Sequence, residues 1–320
     1  MRLRIVVIGR NTRAFVDDCV RSFMTQRKGD DVFVDFTDDA SEDGSFERAK
    51  ELLTSHECFC DEVEVRRNRA RMGGCHNIWR AIQRADEDDV CVIVGGDDKL
   101  KEGALDLLWE AYQNEDTWLT YGNFENSDGR VTNKVGPWLP PYATRPMKEF
   151  VLTPFTFRAW LGKKLCERDL LLAGSFFPSS ADVAMNIPIA EMAGPEHAKF
   201  IEEKWYWRRI HPGNDGWVDP LHQHYCTFRA LQKPRYGRIA GRHDTPTRSP
   251  HVLPYGVVLM PNEPFPRFLA LDEWAAKEVE LGHVMPVDAS LDFKRKSPKD
   301  PEHLWDGEFI DRAGAEGRMP

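Results

Sequence analysis

Short apolar runs alternate with amphipathic stretches along the first third of the chain. Leu3 to Ile8, Val32 to Thr37, Glu62 to Val65, Val90 to Val94 and Trp118 to Tyr121 read as strands, most of them Val- and Ile-rich and all too short for helices. Between them, Arg13 to Gln26 places Phe15, Cys19, Val20 and Phe23 on one helical face. Phe46 to Leu53, Gly74 to Ala85 and Ala104 to Tyr112 complete the helical set, with Ile78, Trp79 and Ile82 on the apolar side of the third. Strands alternating with helices predict an α/β fold, a mostly parallel sheet with helices on both faces.

The pattern then changes. Residues 122–150 are rich in Gly, Pro and Asn and read as loop, with a hairpin at Asn126–Gly129. Residues 155–200 read as mostly helical. The aromatic and basic stretch from Ile201 to Ile210 reads as a strand running into His211-Pro212-Gly213-Asn214. Lys and Arg crowd positions 227–248, where Asp244 is the one acid, and residues 250–320 are Pro-rich and weakly periodic. A small C-terminal extension, partly extended and packed on the core, is expected there.

Composition narrows the function classes. A net charge of −9 argues against a general nucleic-acid binder, and the basic 227–248 segment is better read as lining a groove or a subunit contact. No apolar stretch approaches the ~20 residues that span a bilayer. The start, MRLRIVVIGRN, reads as a first strand rather than a leader. Seven cysteines without recurring spacing fit a reducing compartment better than a disulfide framework. His56-x-Cys58-x-Cys60 lacks the second pair that a zinc site needs. A cytoplasmic protein, soluble or peripheral to a membrane, is expected.

Candidate chemistry sits where strands end. Val90–Val94 runs through Gly95-Gly96 into Asp97-Asp98. Open α/β sheets bind ligands at the carboxyl ends of their strands. Adjacent carboxylates repel and are costly to bury without a cation, and a divalent metal carrying a diphosphate would use that repulsion. The same residues could also simply cap the next helix. The second strand ends in another acidic turn, Asp38-Asp39-Ala40-Ser41-Glu42-Asp43-Gly44-Ser45, which can accept from a base N–H or a ribose hydroxyl or cap the helix after it. After the first strand, Gly9-Arg10-Asn11-Thr12 lacks the G-x-G-x-x-G of a dinucleotide turn.

The succession DDASEDGS, RNRARMGGCHN and GGDD resembles the family 2 glycosyltransferases of the GT-A fold, well over residues 3–125 and more loosely to about 215. That resemblance implies a GT-A type Rossmann-like sheet and a catalytic domain over 1–215. Its nucleotide-binding half would be 1–125 and its acceptor half 126–215, with an extension of unplaced role over 216–320. It implies a hexosyltransferase-class enzyme moving a sugar from a nucleotide-sugar, most often a UDP-sugar, to a glycan, lipid-linked or other hydroxyl acceptor. It also implies a Mn2+ or Mg2+ cofactor. Carried over by position, Gly9 would lie beside the base and Asp39 would bond it. Asp97 would contact the ribose or sugar, and Asp98 would ligate the metal. Asn77 falls in the donor-binding segment. Of Arg66, Arg67, Arg69 and Arg71, Arg71 is preferred for the diphosphate. His211 resembles a residue closing on the diphosphate near the end of such domains, as a third metal ligand or phosphate contact. The base of an inverting reaction would be Asp182, ahead of a helical stretch, with Glu191 as the alternative. Ala40, His76 and Ala181 depart from the family pattern. Two other readings compete: a sugar nucleotidyltransferase, whose G-x-G-T-R loop is missing from GRNTRAF, and an inactive glycosyltransferase-like binding module. The extension could support a homo-oligomer.

Overall fold

The computed structural model describes residues 1–26, 29–55, 57–131, 154–214 and 218–249, and beyond them the backbone of four strands. The first half is built as the periodicity predicts: β1 Leu3–Gly9, α1 Val16–Arg21, β2 Gly29–Asp38, α2 Ser45–Leu53, β3 Cys60–Asn68, α3 Gly74–Arg84 and β4 Val90–Gly95. A two-residue strand, β5 Lys99–Leu100, then precedes α4 Ala104–Ala111 and β6 Leu119–Asn126. The first helix is much shorter than its apolar face suggested, turns flanking it on both sides. The hairpin expected near Asn126 is present, with Asn126 N–H donating to Arg130 O at 2.7 Å and Glu125 bridging Val131.

Residues 155–200 are not mostly helical. β7 Phe155–Arg158 is a strand, followed by α5 Ala159–Gly162, the hairpin β8 Leu171–Leu172 and β9 Ser175–Phe176, α6 Ala181–Ala193 and β10 Ala198–Arg208. Phe155 and Phe157 pack into the core from one side of β7. Thr156 points the other way and bonds Tyr112 Oη and Thr120 Oγ1 at 2.8 and 2.6 Å. That two-residue alternation is a strand signal in a segment too short for periodicity to settle. After β10 come α7 Pro220–Leu231, β11 Arg235–Tyr236 and β12 Arg248–Ser249. The C-terminal backbone forms β13 Tyr255–Leu259, β14 Arg267–Ala270, β15 Met285–Pro286 and β16 Trp305–Asp311.

The main sheet runs β16-β3-β2-β1-β4-β7-β6-β10-β5. Neighbours β3/β2, β2/β1, β1/β4 and β6/β10 are parallel; β7, β5 and β16 are antiparallel to the strands beside them. This is the mostly parallel, two-face-covered sheet that the sequence predicted. One core packs α1, α2 and α4 on one face through Cys19, Val20, Leu52, Leu105 and Leu108. The other packs α3, α5, α6 and α7 through Ile82, Leu161, Ile187 and Leu231. Helix α6 is buried from Val183 to Ala193, Pro188 included, which fits a helix enclosed on all sides. Tyr236 and Ile239 belong to this second core, so it extends past residue 215.

Candidate active site at the carboxyl ends of β1, β2 and β4

β1 and β4 are neighbours at the centre of the sheet and end side by side. A Cβ on Gly96 would lie 2.8 Å from Gly9 Cα, so the two backbones touch and no side chain fits between them. Gly9 therefore lies against the Gly95-Gly96 turn at the end of β4. Gly95 has its own constraint, since a Cβ there would meet Asp97 Oδ1 at 2.8 Å and Asp98 Oδ2 at 3.0 Å. Both carboxylates thus fold back over the end of β4.

The two acids have different surroundings. Asp98 Oδ2 accepts from the Tyr206 hydroxyl at 2.6 Å, and its Oδ1 accepts from Arg209 N at 2.8 Å. Burial and the neighbouring Asp97 carboxylate push the Asp98 carboxyl up to about 7. Two acids this close disfavour sharing two negative charges. Asp97 opens the other way: its Oδ2 lies 2.9 Å from His211 Nε2 and accepts from Asn214 Nδ2 at 3.2 Å. The Asp97 and His211 side chains keep 25% and 22% of their exposure, so solvent reaches this pair. Asp97, expected at the sugar, and His211, expected at the metal, are therefore direct partners. Asp98, expected as the metal ligand, has both oxygens engaged by β10 and the residue after it.

That β10 end is the main thing sequence reasoning missed. Tyr206 pairs with Leu100 and Trp207 with Lys99, so β5 fixes the register of β10 directly after the Asp97-Asp98 turn. Tyr206 Oη also accepts from Gly95 N at 3.2 Å. The Arg209 guanidinium lies 4.7 Å over the Phe15 ring and 4.9 Å over Trp207. It donates to Asp97 O at 2.9 Å and to Asp18 at 2.8 Å. Phe15 in turn packs on the His211 ring at 4.8 Å. The aromatic-basic alternation of WYWRRIH was visible, but not which carboxylates it would meet.

At the end of β2, Asp39 is 4% exposed. Its Oδ1 accepts from Asn68 Nδ2 at 2.8 Å and Met72 N at 2.7 Å, and its Oδ2 from Gly73 N at 2.9 Å. Asn68 also donates to Asn77 Oδ1 at 2.8 Å. Asp39, Asn68 and Asn77 form one buried chain that fixes the 71–73 loop, and Asn77 lies at its inner end. Asn68 stands inside the RNRARMGGCHN motif, yet the motif alone gives it no role. Arg71 projects from this loop, exposed. Arg66 points to the opposite face, buried in ion pairs with Asp35 and Glu64, and is removed from the phosphate candidates. Arg67 donates to Ser41 O and Glu47. Thr12 Oγ1, Asp38 Oδ1, Asn68 Oδ1 and Asn77 Nδ2 are buried here without a hydrogen-bond partner. Such atoms are costly unless water or a ligand completes them.

Asp182 stands in the first turn of α6, half-buried, with its Oδ1 2.9 Å from Val183 N. Glu191, the alternative base, is 4% exposed and accepts from Tyr236 N at 3.0 Å while pairing with Arg235. It is a brace for β11, not an acid facing an acceptor. The Cys58 and Cys60 thiols are buried in the first core; His56 lies outside the described residues.

A family model described as Glycosyl transferase family 2 matches residues 4–170, a little over half of the chain, and spans β1 through β7 with both acidic turns. The chain belongs to glycosyl transferase family 2. Among solved structures, this family 2 chain is similar to S. aureus TarS 1-349 in complex with UDP-GlcNAc, at TM-score 0.56 and 14% identity. That match covers 72% of this chain and 66% of the other. The same TarS piece in complex with UDP matches at TM-score 0.53 and 13% identity over 72% and 64%. A longer S. aureus TarS structure matches at TM-score 0.53 and 14% identity, over 72% of this chain and 39% of TarS. At these identities the likeness speaks for a GT-A fold, and the chain spans less than two thirds of TarS. Among curated proteins none matches.

The donor set fits a divalent ion of the hard, water-keeping kind. No group of three His, Cys, Asp or Glu side chains among the described residues forms a closed cage. Mg2+ in particular is usually held by one or two carboxylates, waters and substrate phosphates rather than by an all-protein cage. Asp97 and Asp98 are the carboxylates that could contribute to such a partial set, with His211 beside Asp97. Among the described residues, no helix is long and apolar enough to cross a membrane.

Proposed function

We propose that this family 2 member is a metal-dependent, inverting glycosyltransferase that moves a sugar from a UDP-sugar to a hydroxyl on a glycan, a lipid-linked sugar or another acceptor. The observation that carries this reading is the acidic turn at the end of β4, where Asp97 and Asp98 stand together and the partly exposed Asp97 meets His211 at 2.9 Å. The TarS complexes with UDP-GlcNAc and UDP support the uridine nucleotide.

In this reading Asp97 and His211 hold Mn2+ or Mg2+, and Asp98 adds negative charge behind them. The bound ion would neutralise the diphosphate as it leaves. Gly9 lets the base lie against the β1 backbone. Asp39, Asn68 and Asn77 set the 71–73 loop. Asp39 Oδ2, which accepts one N–H among the described residues, keeps capacity for a base N–H. Arg71 reaches the phosphates from that loop. Asp182 takes the proton from the acceptor hydroxyl as it attacks the anomeric carbon. Residues 1–215 form the catalytic part, braced by the segment that follows.

The test is a panel of nucleotide-sugars, each with Mn2+, scored for slow donor hydrolysis and for binding by calorimetry. A UDP-sugar should bind and hydrolyse. A chain that is folded yet binds no nucleotide with either Mn2+ or Mg2+ would overturn the reading and favour an inactive module.

A further inference from the structure

The carboxylate at the end of β2 is held by amides whose direction is fixed. Asp39 Oδ1 accepts from Met72 N at 2.7 Å and Oδ2 from Gly73 N at 2.9 Å, so both oxygens act as acceptors. The Asn68 atom 2.8 Å from Oδ1 must then be its NH2. The second hydrogen of that NH2 goes to Asn77 at 2.8 Å, which turns the Asn77 oxygen toward it. Flipping either amide would set two oxygens or two NH2 groups against each other. Asn68 is the only side-chain donor to the Asp39 carboxylate among the described residues. The backbone of Asp39 is fixed separately, its N–H donating to Gly9 O at 2.8 Å and its carbonyl accepting from Arg10 Nη1 at 2.9 Å.

Stability alone does not account for these amides. Asn68 and Asn77 are each 2% exposed, and Asn68 Oδ1 and Asn77 Nδ2 have no partner among the described residues. An apolar contact between β3 and α3 would avoid that cost. What the amides supply is a carboxylate with Oδ1 filled by two donors and a lone pair kept on Oδ2.

We propose that Asn68 is a positioning residue for nucleobase choice: it fixes Asp39 as an acceptor, so that the site takes a base offering a ring N–H, as uracil does, over one offering a bare ring nitrogen, as cytosine does. This rests on the donor-binding reading given above, in which Asp39 meets the base. Uracil and cytosine have nearly the same shape and differ at this edge, where the ring nitrogen carries a hydrogen in one and a lone pair in the other. A carboxylate turned to cytosine sets lone pair against lone pair, and a site built to accept an N–H rejects the analogue lacking it. Without Asn68 the carboxylate is free to turn, Oδ2 loses its aim, and the two bases are told apart poorly.

The experiment uses the full chain with Mn2+ and compares UDP with CDP by calorimetry. Wild type should prefer UDP by about 10-fold or more. Asn68→Leu keeps the volume and removes the donor. It should bind UDP about 10-fold more weakly with CDP little changed, so the preference collapses. Equal weakening of both nucleotides would show that Asn68 only supports the loop, and would overturn the proposal. Asn68→Asp keeps the shape but sets a second carboxylate against Asp39, and two acids this close share a proton only as pH falls. The bridging proton restores the donor, so UDP affinity relative to wild type should be poorest at about pH 8 and recover toward about pH 5. Wild type and Asn68→Leu at the same pH values subtract the titration of the nucleotide phosphates and of His76, whose Nδ1 lies 3.4 Å from Asn77 Oδ1. Arg10, on the Asp39 carbonyl, stays charged throughout. A deficit that does not change with pH would count against the proposal as decisively. Should a single variant not fold, Asn68→Leu with Asn77→Leu removes both amides together, a change close to neutral for stability. That protein should still lose the UDP preference, and keeping it would sink the proposal. If wild type prefers UDP and only the variants behave otherwise, the positioning role falls and the donor reading stands. If wild type binds UDP and CDP alike, or neither, Asp39 does not read the base and the donor reading itself falls.

Discussion

His211 reaches Asp97 through Nε2 while its Nδ1 accepts the Gly213 N–H at 3.2 Å. A neutral ring can do both only with its proton on Nε2. A cation on Nε2 needs the other tautomer, with the proton on Nδ1, and Gly213 then loses its acceptor. Adding Mg2+ with UDP should therefore move the Gly213 amide resonance and speed its hydrogen exchange; an unmoved amide would argue that His211 stays on Asp97. By the same geometry, Asp97→Asn should abolish Mn2+-dependent UDP binding in calorimetry, while Asp98→Asn should weaken it by only about 10-fold, the scale of a supporting contact. Equal losses would return the ligand role to Asp98. Asp182 is tested on a different axis. The amide of Asp182→Asn preserves the shape of the first turn of α6, so the thermal midpoint and UDP-sugar affinity should hold. Transfer should fall about 10²–10⁴-fold if it is the base. A folded variant transferring at near wild-type rate would make Asp182 structural.

At the scale of elements, β1, β2 and β3 carry two faces of opposite character. Alternation along each strand puts Ile5, Val34 and Val65 in the first core, while Arg4, Asp35 and Arg66 face the other side. Asp35 is fully buried and meets Arg4 at 3.0 Å, Arg66 at 3.1 Å and Arg84 from α3 at 3.0 Å. Burial by itself would raise the Asp35 carboxyl; Arg84, Arg4 and Arg66 outweigh it and hold it below the usual carboxylate range. A depressed folded value contributes stability that is present above the unfolded pKa, about 3.9, and is lost as pH falls through the folded value. Asp35→Asn should thus lower stability at neutral pH by about 3–5 kcal/mol, as when one partner of a buried pair is removed. It should also flatten the acid limb below about pH 4 in urea titrations. An unchanged acid limb would show that other carboxylates control it. The contact between β1 and β4 makes a second prediction. With a Cβ 2.8 Å from Gly9 Cα, Gly96→Ala must push the β1 and β4 backbones apart. It should cost about 1–3 kcal/mol in urea unfolding and weaken donor binding along with it.

At the scale of the molecule, most charges of the basic segment have acidic partners within the fold. Arg235 pairs with Glu191, Arg238 with Glu196, Arg242 with Glu87 and Asp88, and Arg248 bidentately with Asp169. Lys233 donates to Leu171 O, and Arg229 to Tyr225 Oη at 2.9 Å. The segment is a strap that ties residues after α7 back onto α6, the β8 hairpin and the start of β4. Asp169, 6% exposed, also accepts from the Tyr236 hydroxyl at 2.8 Å. Asp169→Ala leaves both donors unmatched and should open residues 232–249 to limited trypsin cleavage at a protease level that spares wild type. Equal resistance would show that the strap is held by packing of Tyr236 and Ile239 alone. β16 adds to the other edge of the sheet, where Trp305 to Asp311 runs antiparallel to β3 from Asn68 to Glu62. β16 thus covers the edge that β3 would otherwise present.

The parallel half of the fold was legible because its strands are short apolar runs buried on both faces and its helices carry a single apolar stripe, patterns that local sequence sets by itself. The two acidic turns were legible for the same reason: a ligand site at a strand end depends on the residues that follow the strand. β7 escaped because four residues carry too little periodicity, and its place between β4 and β6 is a matter of long-range pairing. Adjacent acids of equal chemistry could not be told apart in the chain. Asp97 and Asp98 acquire their different hydrogen-bond partners from Tyr206, Arg209 and His211, which stand more than a hundred positions away and arrive only when β10 pairs beside β6 and β5. The sequence determined that carboxylates would gather at this end of the sheet; the pairing of a distant strand decided which donors each of them meets.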